Sequence, residues 1–208
     1  MIKNIIFDFG GVIMTISQQG GVERFTQLGV TDADKQLDPY TQTGIFGDLE
    51  EGKIDAEEFR LSLCKMLGRE VSVEECKWAW LGYRDGLPKR NLELLRRLRA
   101  EGYRLILLSN TNPYMQMWAE SPEFDGEGNP VSHYFDAMYK SYQVKMMKPN
   151  PRFFELVLKN ENIQPEETLF VDDGERNCAV AREFGIHTFC PENGSDWTHE
   201  LLEILSRP

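Results

Sequence analysis

The stretch Met1–Val12, MIKNIIFDFGGV, decides the fold. Ile5-Ile6-Phe7 reads as a short buried strand with Asp8 at its end, and Gly10 and Gly11 follow at once. A carboxylate where a buried strand stops, beside glycines that let the backbone approach a ligand, suits a nucleophile facing a phosphate. Three later apolar runs also end in reactive residues: Ser109-Asn110 after Leu105–Leu108, Lys148 before Pro149, and Asp172-Asp173 after Leu169–Val171. Each has a plainer reading alone. Asp and Gly are ordinary turn residues, Ser109 and Asp173 could cap helices, and a lysine before proline is ordinarily solvated. Together they need a fold that gathers strand ends.

The rhythm of the chain supplies one. After Pro88 a helical stripe (Leu92, Leu95, Leu98) stops at Gly102, and strand and helix then alternate. Leu105–Leu108, Asp136–Tyr139, Leu169–Val171 and His187–Phe189 read as strands. Helices are expected behind Pro151, over Ala179–Phe184, and at the end around Trp197, Leu201, Leu202 and Leu205. Such alternation implies an α/β, doubly wound parallel sheet (Rossmann-like), which binds ligands at the carboxyl ends of its strands. Residues 16–87 differ: they read as an all-helical block with no convincing strand. Asp55 with Glu58, and Ser72 with Glu75, have capping-box spacing, and Gly29 and Gly68 read as stops. Residues 121–132 (SPEFDGEGNPVS) read as a surface loop.

Composition narrows the class. The chain has 208 residues, 41% of them hydrophobic, enough for one domain with an insertion. No run approaches the ~20 apolar residues of a membrane span, and no basic-plus-apolar leader precedes the first strand. The four cysteines are scattered without ligand spacing, and the expectation is a reduced, cytoplasmic protein. A net charge of −11 argues against a nucleic-acid partner.

With these motifs in hand, the sequence resembles the haloacid dehalogenase-like hydrolase superfamily. The matching residues are Asp8 in DFGGV, Ser109 in LILLSNTN, Lys148 in KPNPRFF, and Asp172-Asp173 in LFVDDGERN with Asn177 on the next helix. They span positions 8 to 177 in the family's order. Response-regulator receiver domains use a similar set but place the acidic pair first and lack a helical insertion. The resemblance implies a catalytic core of residues 1–15 and 88–208 and a helical cap of residues 16–87. It implies Mg²⁺ held by Asp8, the carbonyl of Gly10, Asp172 and Asp173, with a phosphorylated small metabolite as partner. Ser109, Asn110, Gly11 and Lys148 would bind the phosphoryl group, and Asp8 would attack phosphorus. Three carboxylates, one Mg²⁺ and Lys148 sum to zero charge, so an anionic substrate can enter an acidic protein.

Gly10 departs from the pattern, because most family phosphatases carry there the acid that protonates the leaving group. Three readings follow: a phosphatase using water or a cap residue as acid, one favouring good leaving groups, or a binding or regulatory protein without turnover. SNTNPYMQMW with the glycine-bearing first motif is similar to a bacterial branch that includes α-glucose-1-phosphate phosphatases, which also carry glycine there. True haloacid dehalogenases work without metal, and the complete acidic pair disfavours that reading. Ser17, Gln18 and Gln19 are candidate rim residues. Trp78 and Trp80 are expected to pack within the cap, with one of them a candidate to line its entrance, and His133, His187 and His199 form no set.

Overall fold

The computed structural model describes residues 1–38 and 42–206. The chain opens with β1 (Asn4–Phe7) and a short β2 (Thr15–Ile16). Helices α1 (Gln18–Leu28), α2 (Ala33–Gln36), α3 (Gly44–Glu50), α4 (Ala56–Leu67) and α5 (Val73–Trp80) follow, then β3 (Arg84–Gly86). Beyond them run α6 (Lys89–Ala100), β4 (Arg104–Ser109), α7 (Pro113–Ala119), β5 (Ala137–Lys140), α8 (Ser141–Val144), α9 (Pro151–Glu161) and β6 (Thr168–Val171). The chain continues with α10 (Glu175–Glu183), β7 (His187–Phe189) and α11 (Thr198–Ser206).

Five strands make one parallel sheet in the order β5-β4-β1-β6-β7. Both of its faces are covered, which explains why the central strands read as continuous apolar runs rather than as alternation. Ile5, Phe7, Leu105, Leu107, Leu169 and Val171 pack on one side, together with Leu95 and Leu98 of α6 and Leu201 of α11. Ile6, Ile106, Leu108 and Phe170 pack on the other, against Phe153, Phe154 and Val157 of α9 and Ala181 of α10.

The first of these cores runs on into the helical block, where Phe25, Phe46, Phe59 and Trp80 are all buried. Phe46 meets the other three edge to face and Phe25 meets Trp80 likewise, with centroids 5.0 Å apart for Phe25–Phe46 and 5.3 Å for Phe25–Trp80. Such pairs add about 0.5–1.5 kcal/mol each beyond area burial. Both capping boxes form. Asp55 and Ser72 accept from the backbone N–H groups of Glu58 and Glu75, whose carboxylates accept from the cap N–H groups in return. Gly68 ends α4 in the left-handed conformation.

One feature of the block corrects the all-helical expectation. Its two ends pair as an antiparallel ribbon, Thr15 opposite Gly86 and Ile16 opposite Arg84. Asn193 clamps the ribbon from the other end of the chain, accepting from Ile16 N–H and donating to Ile16 C=O. The ribbon thus fixes where the helical block leaves and re-enters the sheet domain. Trp78 also differs from expectation: it is 41% exposed, with the Arg24 guanidinium 5.2 Å above its ring, while Trp80 is buried. Among the described residues no helix is long and apolar enough to cross a membrane.

Candidate active site

Strand register assembles the site. Phe7 lies opposite both Leu107 of β4 and Val171 of β6, so the residues that follow leave three adjacent strands at nearly one level. Asp8, one step past β1, donates its N–H to the Val171 carbonyl at 2.9 Å. Ser109 ends β4, and Asp172-Asp173 follow β6. Lys148 arrives from beyond α8, held by a two-point clamp: Asn110 Nδ2 donates to its carbonyl at 2.9 Å and its N–H donates to Asn110 Oδ1 at 2.8 Å. The Asn110 side chain therefore positions the lysine, leaving its own backbone N–H free of that duty.

The Lys148 ammonium is buried, the opposite of a solvated lysine. It donates to Asp172 Oδ2 at 2.6 Å and lies 2.9 Å from Asp8 Oδ1. Burial acts to lower its pKa, but the Asp172 and Asp8 carboxylates outweigh it, and the ammonium is held above its ordinary value. Asp172 is satisfied on both oxygens, since Oδ1 accepts from Gly174 N–H at 2.8 Å and from Asn177 Nδ2 at 2.9 Å. Asp8 Oδ1 also accepts from Phe9 N–H at 2.6 Å.

Asp173 is different. Its Oδ2 is buried without a hydrogen-bond partner, a costly state for a carboxylate. Burial, then the neighbouring Asp172 charge, pushes its pKa up to about 6. Burial likewise raises Asp8 well above the ordinary carboxylate value, with Lys148 opposing and the two other acids adding to the rise. One oxygen from each of Asp8, Asp172 and Asp173 falls within 4.8 Å of the other two. Three converging carboxylates, one of them orphaned, fit a hard divalent cation such as Mg²⁺. Gly11 makes room for the set. It has φ of +84°, and a Cβ there would lie 2.2 Å from Asp173 Oδ2.

Above these groups lies a cavity of about 630 Å³, within the range that holds small metabolites. Asp8, Gly10, Ser109, Asn110, Lys148 and Asp173 line its floor, and Gln42, Glu50, Trp80 and Tyr83 of the helical block line it from above. Gln42 is held by three hydrogen bonds: Oε1 accepts from Asp38 N–H and the Tyr83 hydroxyl, and Nε2 donates to the Asp38 carbonyl. Ser17, Gln18 and Gln19, expected at the rim, do not line the cavity. Ser17 caps α1, Gln18 donates to the Leu37 carbonyl, and Gln19 donates to Glu23. Glu50 and Tyr83 carry no sequence signal for this role, since an acid within GDLEEGK reads as a solvated charge. Asn112 does carry one: an asparagine before Pro113 is a helix-start pattern, and it caps α7.

Comparison with known proteins agrees with this geometry. The haloacid dehalogenase-like hydrolase family matches over residues 2–185. A curated relative, D-ribitol-5-phosphate phosphatase of Bacteroides thetaiotaomicron, is 50% identical over 206 residues, covering 99% of this chain and 100% of its own. Among solved structures, a predicted HAD-like family hydrolase from Porphyromonas gingivalis superposes with a TM-score of 0.95 at 39% identity, covering 100% of both chains. A HAD family enzyme from B. thetaiotaomicron, in complex with magnesium and inorganic phosphate, superposes with a TM-score of 0.86 at 37% identity, again over 100% of both chains. The chain belongs to the haloacid dehalogenase-like hydrolase family.

Proposed function

We propose that the protein is an Mg²⁺-dependent phosphatase that hydrolyses a small phosphorylated polyol or sugar through an aspartyl-phosphate on Asp8. The observation that carries this is the cluster of Asp8, Lys148 and Asp173 on the cavity floor with Asp172 buried behind them, one Asp173 carboxylate oxygen being left unpartnered. The substrate class is supported by the named activity of the relative that is 50% identical along almost the whole chain.

In this reading residues 1–15 and 88–208 form the catalytic core, and residues 16–87 form a cap over it. Asp8, the carbonyl of Gly10, Asp172 and Asp173 would hold Mg²⁺. The ion supplies charge neutralisation for the carboxylates and the phosphate. Lys148, Ser109 and the backbone N–H of Asn110 hold the phosphoryl oxygens; Gly11, expected among them, instead donates its N–H to the Met14 carbonyl at 2.7 Å and does not line the cavity. Asp8 attacks phosphorus in line, forming the acyl-phosphate bond as the ester P–O bond breaks. Water then attacks that phosphorus, releasing inorganic phosphate and regenerating the Asp8 carboxylate. The clamp of Asn110 on Lys148 keeps the ammonium aimed between Asp8 and Asp172 throughout.

Gly10 leaves the departing alkoxide without the family's usual acid. A polyol phosphate is an alkyl ester, so leaving-group quality does not compensate, and water reaching the cavity is the proton source. The test is a panel assay of Mg²⁺-dependent phosphate release from D-ribitol 5-phosphate, α-glucose 1-phosphate and p-nitrophenyl phosphate. Polyol phosphate is expected to lead in kcat/KM. No release from any ester, in protein that binds Mg²⁺, would favour the reading as a phosphate-binding or regulatory protein, which the loss of an acid at position 10 makes reasonable.

A further inference from the structure

Among the groups above the cavity floor, two are not accounted for by their surroundings: the Trp80 indole N–H, buried without a hydrogen-bond partner, and the Glu50 carboxyl group, the only one of the two that can both donate and accept. Glu50 ends α3, is 8% exposed and lines the cavity. Among the described residues its carboxylate has a single hydrogen bond, a long one of 3.5 Å from Asn112 Nδ2. No ion pair to it is found among them. Burying a carboxyl group so thinly partnered is costly, and an apolar side chain would pack there at no such cost. Its neighbours are otherwise committed. Gln42 bonds Asp38 and Tyr83 through three hydrogen bonds, and Asn112 spends its Oδ1 on the Met115 N–H at the start of α7.

The placement is informative. Asn112 stands on the loop that carries Ser109 and Asn110, three residues past the end of β4. Glu50 therefore reaches from the helical block down to the loop that borders the phosphoryl site. The cavity between that floor and Glu50 is open to the alcohol portion of an ester seated there. A hydroxyl there can both donate to and accept from a carboxyl group, and so complete the pairing that the protein leaves open.

We infer that Glu50 is a specificity-determining residue that binds a hydroxyl of the alcohol portion of the substrate, with Asn112 positioning its carboxyl group, and that the site thereby selects polyhydroxylated phosphate esters over apolar ones. This rests on the phosphatase reading and deepens it. Burial raises the Glu50 pKa to about 7, with the Asn112 hydrogen bond opposing, so both hydrogen-bonding states are accessible near neutrality. Sites built to pair a substrate hydroxyl discriminate against analogues that lack it, because the buried polar group is then left unpaired.

The experiment compares two primary esters of equal chain length, D-ribitol 5-phosphate and n-pentyl phosphate, which differ only in hydroxyl groups. The readout is the ratio of their kcat/KM values in the full-length Mg²⁺-loaded wild type, Glu50→Leu and Glu50→Gln. The expected result is a ratio that falls by about 10- to 100-fold in Glu50→Leu, mainly through KM for the polyol ester. In Glu50→Gln, which keeps an acceptor and a donor in the same place, most of the ratio should be retained. A ratio unchanged in Glu50→Leu overturns the inference. So does a parallel fall on both esters, which would mean that Glu50 serves the ester bond itself, for instance as its acid. A wild type that hydrolyses p-nitrophenyl phosphate but neither of these esters overturns the inference alone, and one that releases phosphate from none of the three overturns the phosphatase reading and the inference with it.

Discussion

Gly10 and Gly11 are neighbours with opposite expected responses to one added methyl group. At Gly11 φ is +84°, a conformation that costs an alanine about 1–2 kcal/mol. The new Cβ would stand 2.2 Å from Asp173 Oδ2 and 2.3 Å from its Cγ. To reach ordinary contact the carboxylate must retreat by roughly 1 Å, several times the ~0.2 Å tolerance of a metal-ligand distance. Mg²⁺, which demands near-ideal octahedral geometry, should therefore bind about 10- to 100-fold more weakly to Gly11→Ala. Backbone strain should lower the melting temperature of the metal-free protein by about 2–8 °C. At Gly10 the backbone is not in the left-handed region, and the added Cβ meets only the Ile16 Cγ2 methyl at 3.1 Å, a contact relieved by a shift of a few tenths of an ångström that moves no carboxylate. Gly10→Ala should keep Mg²⁺ affinity within about threefold of wild type. Isothermal titration of MgCl₂ into each variant, with melting curves in the presence and absence of the ion, gives both quantities. Wild-type Mg²⁺ affinity in Gly11→Ala, or an equal loss in Gly10→Ala, would refute the account of Asp173 as a ligand seated against a glycine.

Three further outcomes are expected. Lys148→Met leaves Asp8 and Asp172 buried without their counter-ion, and should destabilise the metal-free protein by about 3 kcal/mol in chemical denaturation while abolishing turnover; a variant as stable as wild type would contradict the ion-pair geometry. Glu50, raised from 4.5 to about 7, is protonated in both folded and unfolded states below pH 4.5, but must pay desolvation when ionised in the fold at higher pH. Its contribution therefore turns unfavourable as pH rises from 4.5 to 7 and levels off above, so the stability advantage of Glu50→Gln should grow by about 3 kcal/mol over that window; a pH-independent difference would contradict it. Gly10→Asp should speed hydrolysis of alkyl phosphates by up to about 10²-fold while changing p-nitrophenyl phosphate little, and an equal change, or none, on both would mean that leaving-group protonation does not limit.

What could be read before the structure was known, and what could not, divides along physical lines. Asp8, Ser109 and Asp172 each end an apolar run, and a parallel sheet brings strand ends together whatever the details of pairing, so the cavity floor was legible. The burial of Lys148 was not, because its partners stand 140 and 24 residues away and a lysine before proline gives no sign of them. Nor was the β2–β3 ribbon. Arg84-Asp85-Gly86 has neither alternation nor β-branched residues; its pairing is supported from the opposing strand, where the Thr15 hydroxyl donates to the Gly86 carbonyl and Asn193 holds Ile16. Trp78 and Trp80 could have been separated by helix geometry: two positions apart they point about 200° from each other around the axis, so one packs inward and the other meets solvent. Glu50 stayed hidden among neighbouring acids, since only the folded chain shows that this carboxylate, unlike Glu51 beside it, is enclosed.

The most direct test of the central claim is to trap the phosphoryl group on the protein. Wild-type enzyme with Mg²⁺ and phosphoryl-labelled D-ribitol 5-phosphate would be quenched with acid within a single turnover, digested, and its peptides assayed for label. The expected result is label on the peptide containing Asp8, formed and lost at rates consistent with turnover, and no label or phosphate release in Asp8→Asn. Phosphate released at the wild-type rate by Asp8→Asn, or turnover that never labels the Asp8 peptide, would contradict the account.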